Sequence, residues 1–320
     1  MKKLLRIVIL LAAVACAAFA AFWYSRPYDL DLETHRARVP HAESSRFADV
    51  DGVRVHYQEK GSGPALVLIH GNNSSTYTWK DVFDTLAAEH RVIAVDMKGF
   101  GFTSKPEEGD YRAEAQAALV VHLLDGLKIE RAVFVGSSLG GGVSLAAAIN
   151  YPERVGGLVL VDSAAFTNPS GVSLAPAYLR WPLVGPAITA LALTSSGVVR
   201  EGLKTSFHDD SQVTDERVAA YYLPLTTRSG QWAARRVREV KHMTRVEKLL
   251  DKVTQPALLI WGAEDSVILL EDGRRLQSAL TNSRLVVFDN CGHLPQEEMP
   301  ERFAREVLGF TARLEEKTQP

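Results

Sequence analysis

Gly136-Ser137-Ser138-Leu139-Gly140 lies between an apolar run, Ala132-Val133-Phe134-Val135, and a run of small residues from Gly141 to Ala148. The order is strand, tight turn, helix, and the turn reads G-x-S-x-G, the pattern of a nucleophile elbow. So sharp a turn strains its central residue and needs small neighbours, because helix and strand pack closely around it. It also holds the Ser138 hydroxyl clear of the backbone at a helix N-terminus. There the Leu139 N–H and the helix dipole can stabilise a developing negative charge. A glycine-rich strand–helix turn with an incidental serine would share the five residues. The flanking runs, and partners further along the chain, favour the nucleophile.

Outward from the elbow the periodicity is that of an α/β protein. Val53–Tyr57 alternates like an exposed-edge strand. Ala65–Ile69, Arg91–Val95 and Gly157–Val161 are short continuous apolar runs, as in buried parallel strands. Ala113–Leu127 reads as a helix. From about Phe166 to Val246 strand signals stop, and prolines and glycines punctuate helical pieces at Tyr178–Leu193, Thr214–Tyr222 and Gly230–Val240. Strands return at Pro256–Trp261 and Arg284–Phe288, with helices near Glu271–Leu280 and from Pro300 to about Leu314. Alternation of this kind implies a mostly parallel, doubly wound sheet covered on both faces, with the helical interlude inserted as a cap. The expected organisation is an N-terminal apolar segment (1–28), a polar linker (29–45), core (46–165), cap (166–246), core (247–314) and a polar tail (315–320).

A serine hydroxyl needs a base, and the base an orienting acid. In this architecture the order is Ser, then Asp or Glu, then His, each on a loop after a strand. Asp265, in Trp261-Gly262-Ala263-Glu264-Asp265, is the expected acid, and His293, in Asn290-Cys291-Gly292-His293, the expected base. Glu264 is one residue off register. Asp162, at the end of the preceding core strand, is a rival acid that can also reach the histidine. The oxyanion hole needs a second N–H beside that of Leu139, and Asn72, in His70-Gly71-Asn72-Asn73, is the candidate donor. His70 reads as hydrogen-bonded within its loop rather than as a second base.

Together these motifs, with Asp96-Met97-Lys98-Gly99-Phe100-Gly101-Phe102-Thr103-Ser104, resemble the α/β-hydrolase fold superfamily over about residues 47 to 314. Lys98 stands where the family's D-x-R-G-x-G-x-S loop has arginine, and that loop is expected to brace the site. The His70-Gly71-Asn72 loop and Ser74–Trp79 are similar to those of haloalkane dehalogenases. Those enzymes, like epoxide hydrolases, attack with a carboxylate. Here the nucleophile position holds Ser138, and Leu139 replaces the halide-clamping tryptophan. The resemblance therefore implies a serine hydrolase of a small or medium, mostly apolar ester, working through an acyl-enzyme without metal or organic cofactor. Alternatives on the same triad are carbon–carbon bond hydrolysis of dienones, lactone hydrolysis, small-amide peptidase action and cofactor-free perhydrolysis. Acyl transfer to a lipid or cell-wall acceptor, and a non-catalytic receptor that keeps the fold, are further alternatives. Trp181, Leu183, Ile188, Tyr221, Tyr222 and Trp232 are candidates to line an acyl pocket or to pack cap against core.

Composition is ordinary for a globular protein, with 46% hydrophobic and 23% charged residues in 320 and a net charge of −2, which gives no reason to expect nucleic acid. Cys16 and Cys291 are the two cysteines, too few for a disulfide framework. Lys2, Lys3 and Arg6 precede an uncharged run, Ile7 to Tyr24, that is just long enough to span a bilayer and ends in Trp23 and Tyr24. The first expectation is a signal anchor in the inner membrane, with the catalytic domain outside the cytoplasm. Cleavage near Ala18-Phe19-Ala20, leaving a periplasmic or secreted protein, and lipidation at Cys16 are the alternatives.

Overall fold

The structure, a computed structural model, describes residues 2–167, 195–240 and 245–316. In chain order its elements are α1 (Lys2–Ser25), α2 (Leu32–His35), β1 (Ser45–Val50), β2 (Val53–Lys60), β3 (Ala65–Ile69), α3 (Phe83–Ala87), β4 (Arg91–Val95) and α4 (Ala113–Gly126). Then come β5 (Ala132–Ser137), α5 (Leu139–Asn150), β6 (Val155–Val161), α6 (Ser196–Ser206), α7 (Asp215–Tyr222) and α8 (Arg228–Val240). The chain closes with β7 (Ala257–Gly262), α9 (Leu270–Ala279), β8 (Ser283–Phe288), α10 (Pro295–Glu298) and α11 (Pro300–Glu316).

The eight strands form one sheet in the order β1-β2-β4-β3-β5-β6-β7-β8. Only the β1–β2 and β2–β4 pairings are antiparallel. From β4 to β8 every neighbour is parallel, so these strands carry their loops with chemistry at one common, carboxyl edge. The continuous apolar runs follow from burial on both faces. Val67 and Ile69 of β3 point into the cluster with α4 and α5, while Leu66 and Leu68 point into the cluster with α3 and α11. Each such fully buried aliphatic side chain contributes about 1.5–3 kcal/mol.

Two sequence expectations change. Val53–Tyr57 belongs to β2, which is not an edge strand; β1, unread from the sequence, covers it. Its periodicity looks like an edge because His56 and Gln58 are polar, yet both are buried by specific partners. Residues 29–45 are no free linker either. Leu32 and Ala42 are buried, Asp29 pairs with the buried Lys105 at 2.6 Å, and Gln58 donates to the Pro40 carbonyl.

Helices α6, α7 and α8 lie between β6 and β7 in the chain, and Leu203, Phe207, Val213 and Val218 form a small core shared with Leu294. The helical expectation at 178–193, with Trp181, Leu183 and Ile188, falls outside the described residues. Helix α1 has 24 residues, about 36 Å at 1.5 Å per residue, and is apolar enough to cross a membrane. None of its apolar window is buried against the rest of the chain.

Candidate active site

Ser138 joins β5 to α5 with φ +52° and ψ −116°, a conformation that a β-substituted residue adopts only at a cost. Surrounding contacts hold it there. Its N–H donates to Val161 O at 2.8 Å, and its carbonyl accepts from Ala164 N at 2.9 Å and Gly141 N at 3.0 Å. Gly136 is required by the close approach of helix to strand, since a Cβ there would stand 2.3 Å from Gly140 O. The Gly71 backbone reaches the same spot from the loop after β3; a Cβ at Gly71 would lie 3.2 Å from the serine Cβ. Among the described residues, no backbone carbonyl engages the N–H of Leu139 or of Asn72. Both belong to segments that close on Ser138, and Asn72 lines the same cavity as the serine.

The loop after β7 brings Asp265 to His293 from the loop after β8, with Asp265 Oδ2 2.7 Å from His293 Nδ1. The other oxygen of Asp265 accepts the N–H groups of Val267 at 2.7 Å and Ile268 at 3.0 Å. Both side chains are buried. Glu264 points elsewhere and accepts the Cys291 N–H, which ties the two loops together. Asp162 lies behind Asp265, fully buried at the end of β6. Its carboxyl is raised well above the ordinary range, first by burial and then by the neighbouring Asp265 charge. These two carboxyls and His293 are the one group of ligand-type side chains gathered closely among the described residues, but His293 Nδ1 already bonds Asp265.

His70 is fully buried, and burial lowers its pKa. Its Nδ1 is 2.7 Å from Gly71 O and its Nε2 accepts from Met97 N at 3.1 Å, so it ties the loop after β3 to the loop after β4. Asp96 anchors that second loop. It takes hydrogen bonds from His56, from Thr76 N and from Phe102 N at 2.7, 2.7 and 2.9 Å.

Ser138, His293, Gly71 and Asn72 open into a cavity of about 260 Å³ whose apolar wall includes Val199, Leu203, Leu225 and Leu294. Of the pocket candidates read from the sequence, Tyr221 lines it. Trp232 packs instead on Tyr111, ring centres 5.8 Å apart, and Tyr222 is half-buried outside the cavity. Arg238 also lines it, and sequence reading missed this. The available signal was its place four residues after the buried Ala234, on the inner face of α8. No acidic side chain among the described residues pairs with Arg238, and burial alone lowers its pKa. Segments 168–194 and 241–244 contain no aspartate or glutamate.

The alpha/beta hydrolase fold family pattern matches residues 64–300. The chain belongs to that family. This hydrolase is 32% identical over 271 residues to the 2-hydroxymuconate semialdehyde hydrolase of Pseudomonas sp. strain CF600, covering 82% of this chain and 91% of that one. It is similar in structure to the meta-cleavage product hydrolase CumD of Pseudomonas fluorescens IP01, at 30% identity, TM-score 0.71, and 85% and 98% coverage. A bacterial membrane phospholipase A matches at TM-score 0.73 over 98% of this hydrolase and 99% of that chain. At 24% identity that likeness is one of fold, and its coverage takes in most of α1.

Proposed function

We propose that this hydrolase cleaves a carbon–carbon bond beside a ketone in an anionic oxo-dienoate. Ser138 is the nucleophile, His293 the base, Asp265 its orienting acid, and the Leu139 and Asn72 N–H groups the oxyanion donors. Ser138 Oγ attacks the ketone while His293 takes its proton, and Asp265 stabilises the imidazolium. His293 then returns the proton to the departing carbon, which leaves an acyl-enzyme. Water deprotonated by His293 releases the acid. Carbon is a poor leaving group, so proton delivery at that carbon must accompany bond breaking.

The observation that carries this choice of substrate is Arg238, a guanidinium with no carboxylate partner among the described residues, in the cavity of Ser138 beside Val199, Leu203, Leu225 and Leu294. An unpaired buried cation calls for an anion on the ligand. The two named relatives at 30% identity or more are hydrolases of a muconate semialdehyde and of a meta-cleavage product, which supports the same substrate class. The first experiment mixes the full-length protein in detergent with a 2-hydroxy-6-oxo-dienoate and follows loss of the dienolate absorbance. Turnover abolished by Ser138→Ala supports the reading. Turnover of p-nitrophenyl esters with none of the dienoate would replace it by the ester-hydrolase reading.

That second reading has an observation of its own. The end of α1 is docked beside the cavity wall: Arg26 donates to Thr226 O at 2.9 Å and Leu225 O at 3.1 Å, and Leu225 lines the cavity. A membrane-dissolved, anionic ester would meet the same apolar wall and the same Arg238. Retention of α1 as an inner-membrane anchor, with the catalytic domain outside the cytoplasm, belongs to this proposal.

A further inference from the structure

Asp162 ends β6 at φ +42°, a left-handed conformation for a residue that is not glycine. Its Oδ1 accepts the Gly262 N–H at 3.0 Å. Its Oδ2 is buried, with no N–H or hydroxyl donor among the described residues. The Asp265 carboxyl is the charged neighbour of the Asp162 side chain. One oxygen of each carboxyl and a ring nitrogen of His293 all lie within 4.8 Å of one another. Two negative charges this close in a buried site do not coexist, and a proton held between the two carboxyls removes the conflict. The donors decide where the charge resides. Asp265 receives Val267 N–H, Ile268 N–H and His293, whereas Asp162 receives Gly262 N–H alone.

We propose that Asp162 is a positioning residue for the triad: it remains a neutral carboxylic acid at working pH and donates its Oδ2–H to Asp265, so that the buried pair carries one negative charge. The proton satisfies an otherwise orphaned oxygen and fixes the Asp265 carboxylate with Oδ2 towards His293. Other titratable groups face the pair. Glu264 comes from the loop after β7, and Cys291 and Glu298 from the chain after β8. Glu298 adds a negative field that favours the proton on Asp162, while His293, once protonated, opposes it. The inference rests on Asp265 and His293 being the acid and base.

The test is Asp162→Asn, an isostere whose side-chain N–H replaces the proposed O–H. Infrared spectra of the intact protein at pH 7 are expected to show a protonated-carboxyl carbonyl band that the variant lacks. Stability gives a second readout that needs no substrate. A folded state that keeps a proton the unfolded chain releases loses stability as pH rises, so the wild type should weaken relative to Asp162→Asn as pH rises above about 4, the unfolded carboxyl value. In kinetics, Asp162→Asn should keep kcat within about 3-fold and leave the acidic limb of the pH profile in place. Asp162→Ala, which leaves Asp265 short of a donor, should lower kcat about 10-fold or more with KM little changed. Absence of the carbonyl band, with an acidic limb that moves to lower pH in Asp162→Asn, would show Asp162 ionised and overturn the inference. The spectroscopic and stability outcomes stand even if the catalytic roles fail, so the two failures are distinguishable.

Discussion

Ser138 and Arg238 meet opposite physical demands, and each yields its own prediction. The backbone at Ser138 is strained, and the half-buried residue lines the cavity at the start of α5. Ser138→Ala should reduce kcat by roughly 10⁴-fold or more and leave the folded structure, read by circular dichroism, unchanged. Ser138→Gly should also be inactive, yet more stable by about 1 kcal/mol because glycine relieves the strain, a gain visible as a higher melting temperature. Arg238 tests specificity rather than chemistry. Replacing it with glutamine should raise KM for carboxylate substrates by about 10- to 100-fold, the worth of one charged hydrogen bond, and spare a neutral p-nitrophenyl ester. Equal losses on both substrates would mean that Arg238 only supports the fold. The serine could be read from its neighbours in the chain, because an elbow is a local motif. The arginine left only its helical spacing from Ala234 as a signal, because a solvated helix arginine and a cavity-lining one have the same letter.

At the scale of elements, the site is held by loops tied to one another rather than by the strands alone. Asp96 is the knot between the strand β2 and the loops after β3 and β4. Burial pushes its pKa up, but His56, His70 and the donated hydrogen bonds outweigh that and hold it at about 2. A carboxylate depressed from its ordinary value contributes stability above the unfolded pKa near 4, and that contribution is lost as pH falls through the folded value. Asp96 should therefore supply about 2 kcal/mol at pH 5 that is gone near pH 2. Asp96→Asn should flatten that part of a urea-midpoint-versus-pH curve. Helices between β6 and β7 are joined to the loop that carries His293 in the same manner. Glu297 of α10 is fully buried and takes Arg217 of α7 at 3.0 Å, the Thr78 hydroxyl at 2.6 Å and the Tyr221 hydroxyl. His293 N–H itself donates to Ser206 O at 2.6 Å. Glu297→Ala would strand a buried Arg217 and should cost about 3–5 kcal/mol, seen as a lower urea midpoint. In the sequence Glu297 is one of two adjacent glutamates, and nothing local separates the buried partner of Arg217 from its neighbour.

For the whole molecule the question is how α1 meets the catalytic unit. Its end is attached to the cap as well as to the core. Besides the Arg26 bonds, Arg228 N donates to Pro27 O at 3.1 Å and Ser229 N to Tyr28 O at 2.9 Å, while Asp29 holds Lys105. If α1 is retained as an anchor, the protein should sediment with membranes and resist extraction by alkaline carbonate. Arg26→Ala should then alter KM for vesicle-dissolved esters while leaving soluble esters unaffected. Release of the protein by carbonate would instead indicate that α1 does not span the bilayer.

Local signals in the sequence were sufficient for the parallel strands, the tight turn at Ser138, the loops that bring Asp265 to His293, and the apolar N-terminal run. Each is written in a few consecutive residues, because burial on both faces demands unbroken apolar runs and a tight turn demands small residues. Tertiary structure alone decided that β1 covers β2, that residues 29–45 pack on the core, and that Asp162 lies behind Asp265. It also decided that Arg238 reaches the cavity of Ser138. These are pairings across long stretches of chain, set by which polar groups find partners after the sheet has closed. A residue's neighbours in sequence carry no record of the burial or field it will meet there.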